Sequence, residues 1–117
     1  MKENVEKYLK ILKLEIDDLI KAIGDGEALL SKRLEEHEIR DFVFLENLSV
    51  FKMQLMGFQT MEKELNIKAE NAKSVEEFKE DLDEFVKERV KELGFPNAVY
   101  ELIKRKLEKI AKIQTLS

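Results

Sequence analysis

FVFLENLSVFKMQLMGFQTM, residues 42–61, decides how this chain folds. Twelve of its twenty residues are apolar, and they do not keep to one side. At about 100° per residue, Phe44, Leu48, Phe51, Leu55 and Phe58 form one tight stripe. Phe42, Leu45, Met53 and Met56 form a second, roughly opposite, and Val43, Val50 and Met61 begin a third. A helix that is apolar most of the way round has to be covered most of the way round. The segment is therefore expected to be the hub of an all-α fold, with helices from this chain or a second copy packed around it. On that reading Phe51 is fully buried, and Phe51→Ala costs roughly 3–5 kcal/mol.

Toward the N-terminus, the first breaker is Gly24-Asp25-Gly26. Before it, Val5, Leu9, Leu12, Ile16, Leu19, Ile20 and Ile23 recur at helical spacing, which predicts helix 1 over about 2–23. Gly24 suits the left-handed residue after a helix end, and Asp25 suits the cap of the next helix. Helix 2 then starts near Glu27. Its seam runs Leu30, Leu34, His37, Asp41, Phe44, Leu48, Phe51, Leu55, Phe58, Glu62 and Leu65, in steps of three and four. The next stop is the polar stretch Glu70 to Lys73. This predicts an unusually long, apolar helix 2 over about 27–71, roughly 60 Å. A break near Gly57 or Asn66 is the rival.

Ser74 with Glu77 three residues on is a capping box. Helix 3 follows over about 75–93, with Val75, Phe78, Leu82, Phe85, Val86, Val90 and Leu93 on one face, and Gly94 ends it. Phe95-Pro96-Asn97 is the turn into helix 4, about 97–115, which carries Val99, Leu102, Ile103, Leu107, Ile110 and Ile113. Short turns make antiparallel neighbours, so a single domain of four helices with up-down connections is expected. Helix 3 on helix 4 should bring Val86 to Ile103, Leu82 to Leu107 and Phe78 to Ile110. Helix 3 on the end of helix 2 should bring Leu82 to Leu65 and Arg89 to Phe58. Helix 1 on the start of helix 2 should bring Ile16 to Leu34 and Leu9 to Asp41. Helices 3 and 4 reach only the second half of helix 2, so the first half is a lone hairpin with apolar surface left over. A second copy covers it most simply, which predicts a homodimer.

Composition agrees with a helical interaction protein. The chain has 117 residues, enough for one domain with its own core. Charged residues make up 39% of it, mostly Glu and Lys, against one Pro and four Gly, which favours helix. Heavy Glu and Lys usage is also that of heat-adapted proteins. With no Cys there is no disulfide framework or thiolate metal site, as expected of a cytoplasmic protein. The start, MKENVEKYLKILKLEIDD, has no apolar core of a signal peptide. No run is long enough for a membrane span, since Glu46 and Lys52 interrupt the most apolar stretch. A formal net charge of −4 gives no push toward nucleic acid.

Four sets of residues invite a chemical reading. His37 with Asp41 one turn on could hold a metal or pass a proton, but metal sites need three or four ligands and Leu34 stands where a di-iron bundle has Glu. A polar layer that sets helix register, or a surface pair, accounts for the two. The acids Glu35, Glu36, Glu38, Glu76, Glu77, Glu80, Asp81, Asp83 and Glu84 stand beside Lys and Arg at ion-pair spacing, so a solvated face outweighs a carboxylate metal site. Lys104, Arg105, Lys106, Lys109 and Lys112 make helix 4 basic, which is the alternative reading of a nucleic-acid face. The stretch has no interleaved aromatics for stacking bases. The Met and Phe stripes could also hold an apolar ligand or a partner helix. No serine stands in a Gly-x-Ser-x-Gly elbow and no glycine loop cradles phosphate. The expectation is a non-enzymatic, homodimeric helical adaptor, scaffold or chaperone-like protein without cofactor. It would act through Phe42, Leu45, Met53 and Met56 on one side of the hub and Phe44, Leu48, Phe51 and Phe58 on the other.

Overall fold

A computed structural model describes residues 2–68 and 74–116, with side chains over 4–65 and 74–113. Within these residues the chain is an all-α helical bundle of four helices: α1 Lys2–Glu35, α2 Asp41–Lys68, α3 Val75–Leu93 and α4 Asn97–Leu116. The second pair lies where the sequence places it. Ser74 is extended at φ −147° and its Oγ accepts from the Glu77 amide at 3.1 Å. Gly94 closes α3 at φ 72°, with its own amide donating to the Lys91 carbonyl and the Phe95 amide to that of Val90. That is the paired hydrogen bonding of a Schellman cap, which needs a left-handed residue.

The first pair differs from expectation. Gly24-Asp25-Gly26 does not break the chain, and Asp25 caps nothing: α1 runs through all three for 34 residues, roughly 51 Å. Two helical glycines cost about 1 kcal/mol each relative to Ala. Against that, the apolar stripe of Ile16, Leu19, Ile20 and Ile23 continues through Leu30 and Leu34 in phase, so a break would strip the last turns from their packing. Gly26 also has a positive role. A Cβ there would stand 3.2 Å from Cζ of Phe51, so the bare backbone lets that ring lie against α1. The long helix is therefore α1, and α2 has 28 residues. It is continuous through Gly57 and Asn66. The expected stop at 70–73 lies outside the described residues.

The true division falls at residues 36–40, without a Gly or Pro. His37 takes φ 60°, its amide donates to the Leu34 carbonyl at 3.1 Å, and the Glu38 amide donates to that of Arg33 at 2.8 Å. This is the same Schellman cap as at Gly94, with histidine in the left-handed position. Leu30 and Leu34 thus end α1 rather than begin α2. Ile16 and Leu34 share one helix, and Leu9 sits in the body while Asp41 opens α2 at the far end.

α1 and α2 run antiparallel, since Glu27 pairs with Lys52 at 3.6 Å and Asp17 meets Glu62. The core lies at one end of this pair. Val5, Tyr8, Leu12 and Ile16 of α1 join Phe58, Met61 and Leu65 of α2 and the inner faces of α3 and α4. Val86, Ile103, Leu82, Leu107, Phe78 and Ile110, the residues expected between α3 and α4, are all in it. Arg89 reaches α2 at Glu64 through a two-pronged pair at 3.0 and 2.5 Å. The Tyr8 hydroxyl donates to the Leu107 carbonyl at 2.7 Å, and its ring meets Phe78 edge-on. Glu15 binds Lys106 and Lys109 of α4 at 2.8 and 3.0 Å.

α3 and α4 are too short to follow α1 and α2 to their other end. The radius of gyration is 16.4 Å and the extents are 54 × 31 × 18 Å. A compact domain of this length would have a radius of about 13 Å. The molecule is a four-helix body with a two-helix arm, made of the last part of α1 and the first part of α2. The hub stretch is consequently not the centre of the core, and only its last turn, with Phe58 and Met61, is buried there.

Candidate interaction surface

The arm carries the surface that stands out. Phe44, Leu48, Phe51 and Leu55 turn inward and are half-buried, with Leu30 of α1 buried among the arm residues. Phe51 is thus a flank residue rather than a fully buried one, and its truncation costs less than a core phenylalanine's. The opposite stripe is bare. Phe42 is 64% exposed, Leu45 62%, Met56 53% and Met53 36%. Val50, of the third stripe, and Leu29 on α1 are exposed as well. Both stripes read from the sequence exist, but within this chain only the one facing α1 is covered.

The foot of the arm is set by Gly57. A Cβ there would stand 2.8 Å from Val99 Cγ2 and 3.1 Å from Val99 Cγ1, with Phe95 next. Glycine lets the α3–α4 turn press on α2 at this point, and beyond it no third helix follows. Polar groups flank the foot. Oε2 of Glu62 is sealed from solvent with no hydrogen-bond partner, beside the Asp17 carboxylate. A proton shared with Asp17, followed by burial and the charge of Asp17, pushes the Glu62 carboxyl up to about 7, against a smaller pull from Lys13. The protonated acid can donate to Asp17, which supplies the missing partner.

The remaining candidates from the sequence are dispersed. His37 is exposed in the cap of α1 and Asp41 is the exposed first residue of α2, so neither forms a register layer in a seam. Among the described residues no three His, Asp or Glu side chains gather as metal ligands would. On α4, Lys106 and Lys109 are held by Glu15, and Lys104 lies over the Tyr100 ring at 5.9 Å. Glu15 is in turn held below the usual carboxylate range by its hydrogen bonds to Lys106 and Lys109. Tyr100 donates to Asp83 of α3 at 3.1 Å. Lys106 and Lys109 thus tie α4 to α1. Sequence reasoning missed the Asp17–Glu62 pair, because the two lie on separate helices whose register depends on where α1 ends.

Among the described residues no helix is long and apolar enough to cross a membrane. Set against known proteins, the chain matches no family model, no curated protein and no solved structure.

Proposed function

We propose that this chain is a non-enzymatic interaction module of the cytoplasm, an up-down helical unit that dimerises through its arm and serves as an adaptor, scaffold or chaperone-like protein. One observation carries the reading: Phe42, Leu45, Met53 and Met56 form an uncovered apolar ridge on a protruding hairpin. Single chains rarely expose contiguous apolar patches beyond a few hundred Å², and larger ones mark interaction sites. The inner stripe of Phe44, Leu48, Phe51 and Phe58 supports the ridge from behind. Methionine and phenylalanine suit a surface that adapts to a partner helix.

Light scattering across a dilution series tests this. The expected mass is twice that of the chain, and Leu45→Glu with Met56→Glu should reduce it to one chain while helicity is kept. A parent protein that stays monomeric at every concentration refutes self-association through the arm.

A further inference from the structure

The two ends of the arm carry different charge, and this bears on how a second copy sits. From Asp41 at the tip to Gly57 at the foot, α2 advances sixteen residues (57 − 41), roughly 24 Å. Ser49, small and exposed, is the midpoint. Around it the apolar ridge is symmetric, with Leu45 and Met53 four residues away on either side and Phe42 and Met56 seven. The tip holds exposed Glu35, Glu36, Glu38 and Asp41 against Lys32, Arg33 and Arg40. Glu38 is shared with Arg33 at 3.9 Å, whereas Glu35 and Glu36 stand in no ion pair among the described residues. At the foot, the α3–α4 turn has an open depression of about 380 Å³, with Val90 and Phe95 in its lining and Lys87 and Lys91 beside them. The neighbouring Glu92 is engaged by Arg89.

We propose that two copies pair arm to arm in antiparallel, with the two-fold axis at Ser49, resting on the reading of the arm as a self-association surface. Phe42 then faces Met56 of the partner subunit and Leu45 faces Met53 of the partner subunit. When the arms overlap fully, each tip arrives at the other copy's foot, where Glu35 and Glu36 meet the lysines of the depression. A parallel pair would instead leave Glu35 and Glu36 of each copy away from those lysines and beside the same acids of the other tip. The area suits a second copy. Phe42, Leu45, Met53 and Met56 expose roughly 400 Å² per chain, so the two ridges supply about 800 Å² and the tip-to-foot contacts supply the rest of the roughly 1,200 Å² of a specific interface. An isologous pairing also closes on itself and leaves no ridge for a third copy.

The chain has no Cys, so introduced thiols report without background. Ser49→Cys and Glu38→Cys variants are oxidised at a concentration where the parent is dimeric by light scattering. Ser49→Cys should cross-link into a covalent dimer, because the axis brings the two thiols within disulfide reach, and Glu38→Cys should not. Lys87→Glu with Lys91→Glu should weaken the dimer at least tenfold at low salt, and adding Glu35→Lys with Glu36→Lys should restore it. Cross-linking at position 38 but not 49 overturns the antiparallel arrangement. A dimeric mass with no cross-link at either position overturns it too, and assigns pairing to another face. A parent that is monomeric before oxidation fails the functional reading itself, so the two failures are distinguishable.

Discussion

Gly57→Ala should destabilise the protein even though it replaces glycine by alanine inside a helix. In open surroundings that exchange gains about 0.8–1 kcal/mol of helix propensity. Gly24 provides such surroundings, since a Cβ there meets nothing within 4 Å. At Gly57 the new methyl would stand 2.8 Å from Val99 Cγ2 and 3.1 Å from Cγ1, with Phe95 Cγ at 3.4 Å. Val99 is wholly buried in the first turns of α4, and a β-branched side chain in a helix has one strongly preferred rotamer. It cannot swing aside, so α4 must shift or the contact must strain. Overpacking of this kind costs about 1–3 kcal/mol. The net expectation is a loss of up to about 2 kcal/mol for Gly57→Ala against a gain of about 0.5–1 kcal/mol for Gly24→Ala. Urea unfolding followed by circular dichroism reads both as shifts in midpoint at constant slope. Val99→Ala in the Gly57→Ala background should recover part of the loss, because the two sites touch and do not add. A Gly57→Ala protein as stable as Gly24→Ala would refute the close approach of α4 to α2, and with it the position of the arm's foot.

Two further tests address the cap and the carboxyl pair. His37→Gly should stabilise by about 1 kcal/mol, since a non-glycine residue is strained in the left-handed region, and a loss in thermal unfolding would mean that the imidazole makes a contact the cap alone does not explain. Glu62 holds its proton up to about 7 in the folded state, against 4.5 for the ordinary carboxyl. The folded chain thus binds the extra proton between these values, and stability falls as pH rises through that window. Glu62→Gln keeps a donor for Asp17 and removes the titration, so it should match the parent near pH 4.5 and exceed it at pH 8 by about 1 kcal/mol after allowance for solvent screening. Glu15 has the opposite sign, with stability present above its ordinary value and lost as pH falls below it, so a comparison of pH 5 with pH 8 isolates Glu62. Identical slopes for parent and variant over that range would sink the shared proton.

The half of the fold that was legible is the half with strong local chemistry. Ser74, Gly94 and Pro96 each act within a few residues, and α3 begins and ends and α4 begins beside them. The arm is not legible in the same way, because tertiary packing outweighs a local signal there. Gly24 and Gly26 weaken a helix but do not stop one whose stripe stays in phase as far as Leu34. The real stop uses His37, a residue that enters the left-handed region seldom enough to give no warning. Steps of three and four also pass through the turn at 36–40 by coincidence, which joined Leu30 and Leu34 to Phe44 in one apparent seam. The apolar ridge was visible as the second stripe of the quoted stretch. Whether anything covers it depends on helix lengths, and those depended on the misplaced stop.

The bond from the Tyr8 hydroxyl to the Leu107 carbonyl joins positions 99 residues apart. On the ribosome, the first turns of α1 therefore emerge long before the helix that completes their surroundings. At about 5–20 residues per second, Val5, Tyr8 and Leu12 wait roughly 5–20 s for α4. The arm uses only residues up to the late fifties, all of which have emerged well before α4. Newly made chains thus pass through a stage in which the body is still open. α4 acts as a latch: truncation within it would leave the apolar face of Val5, Tyr8 and Leu12 open to degradation.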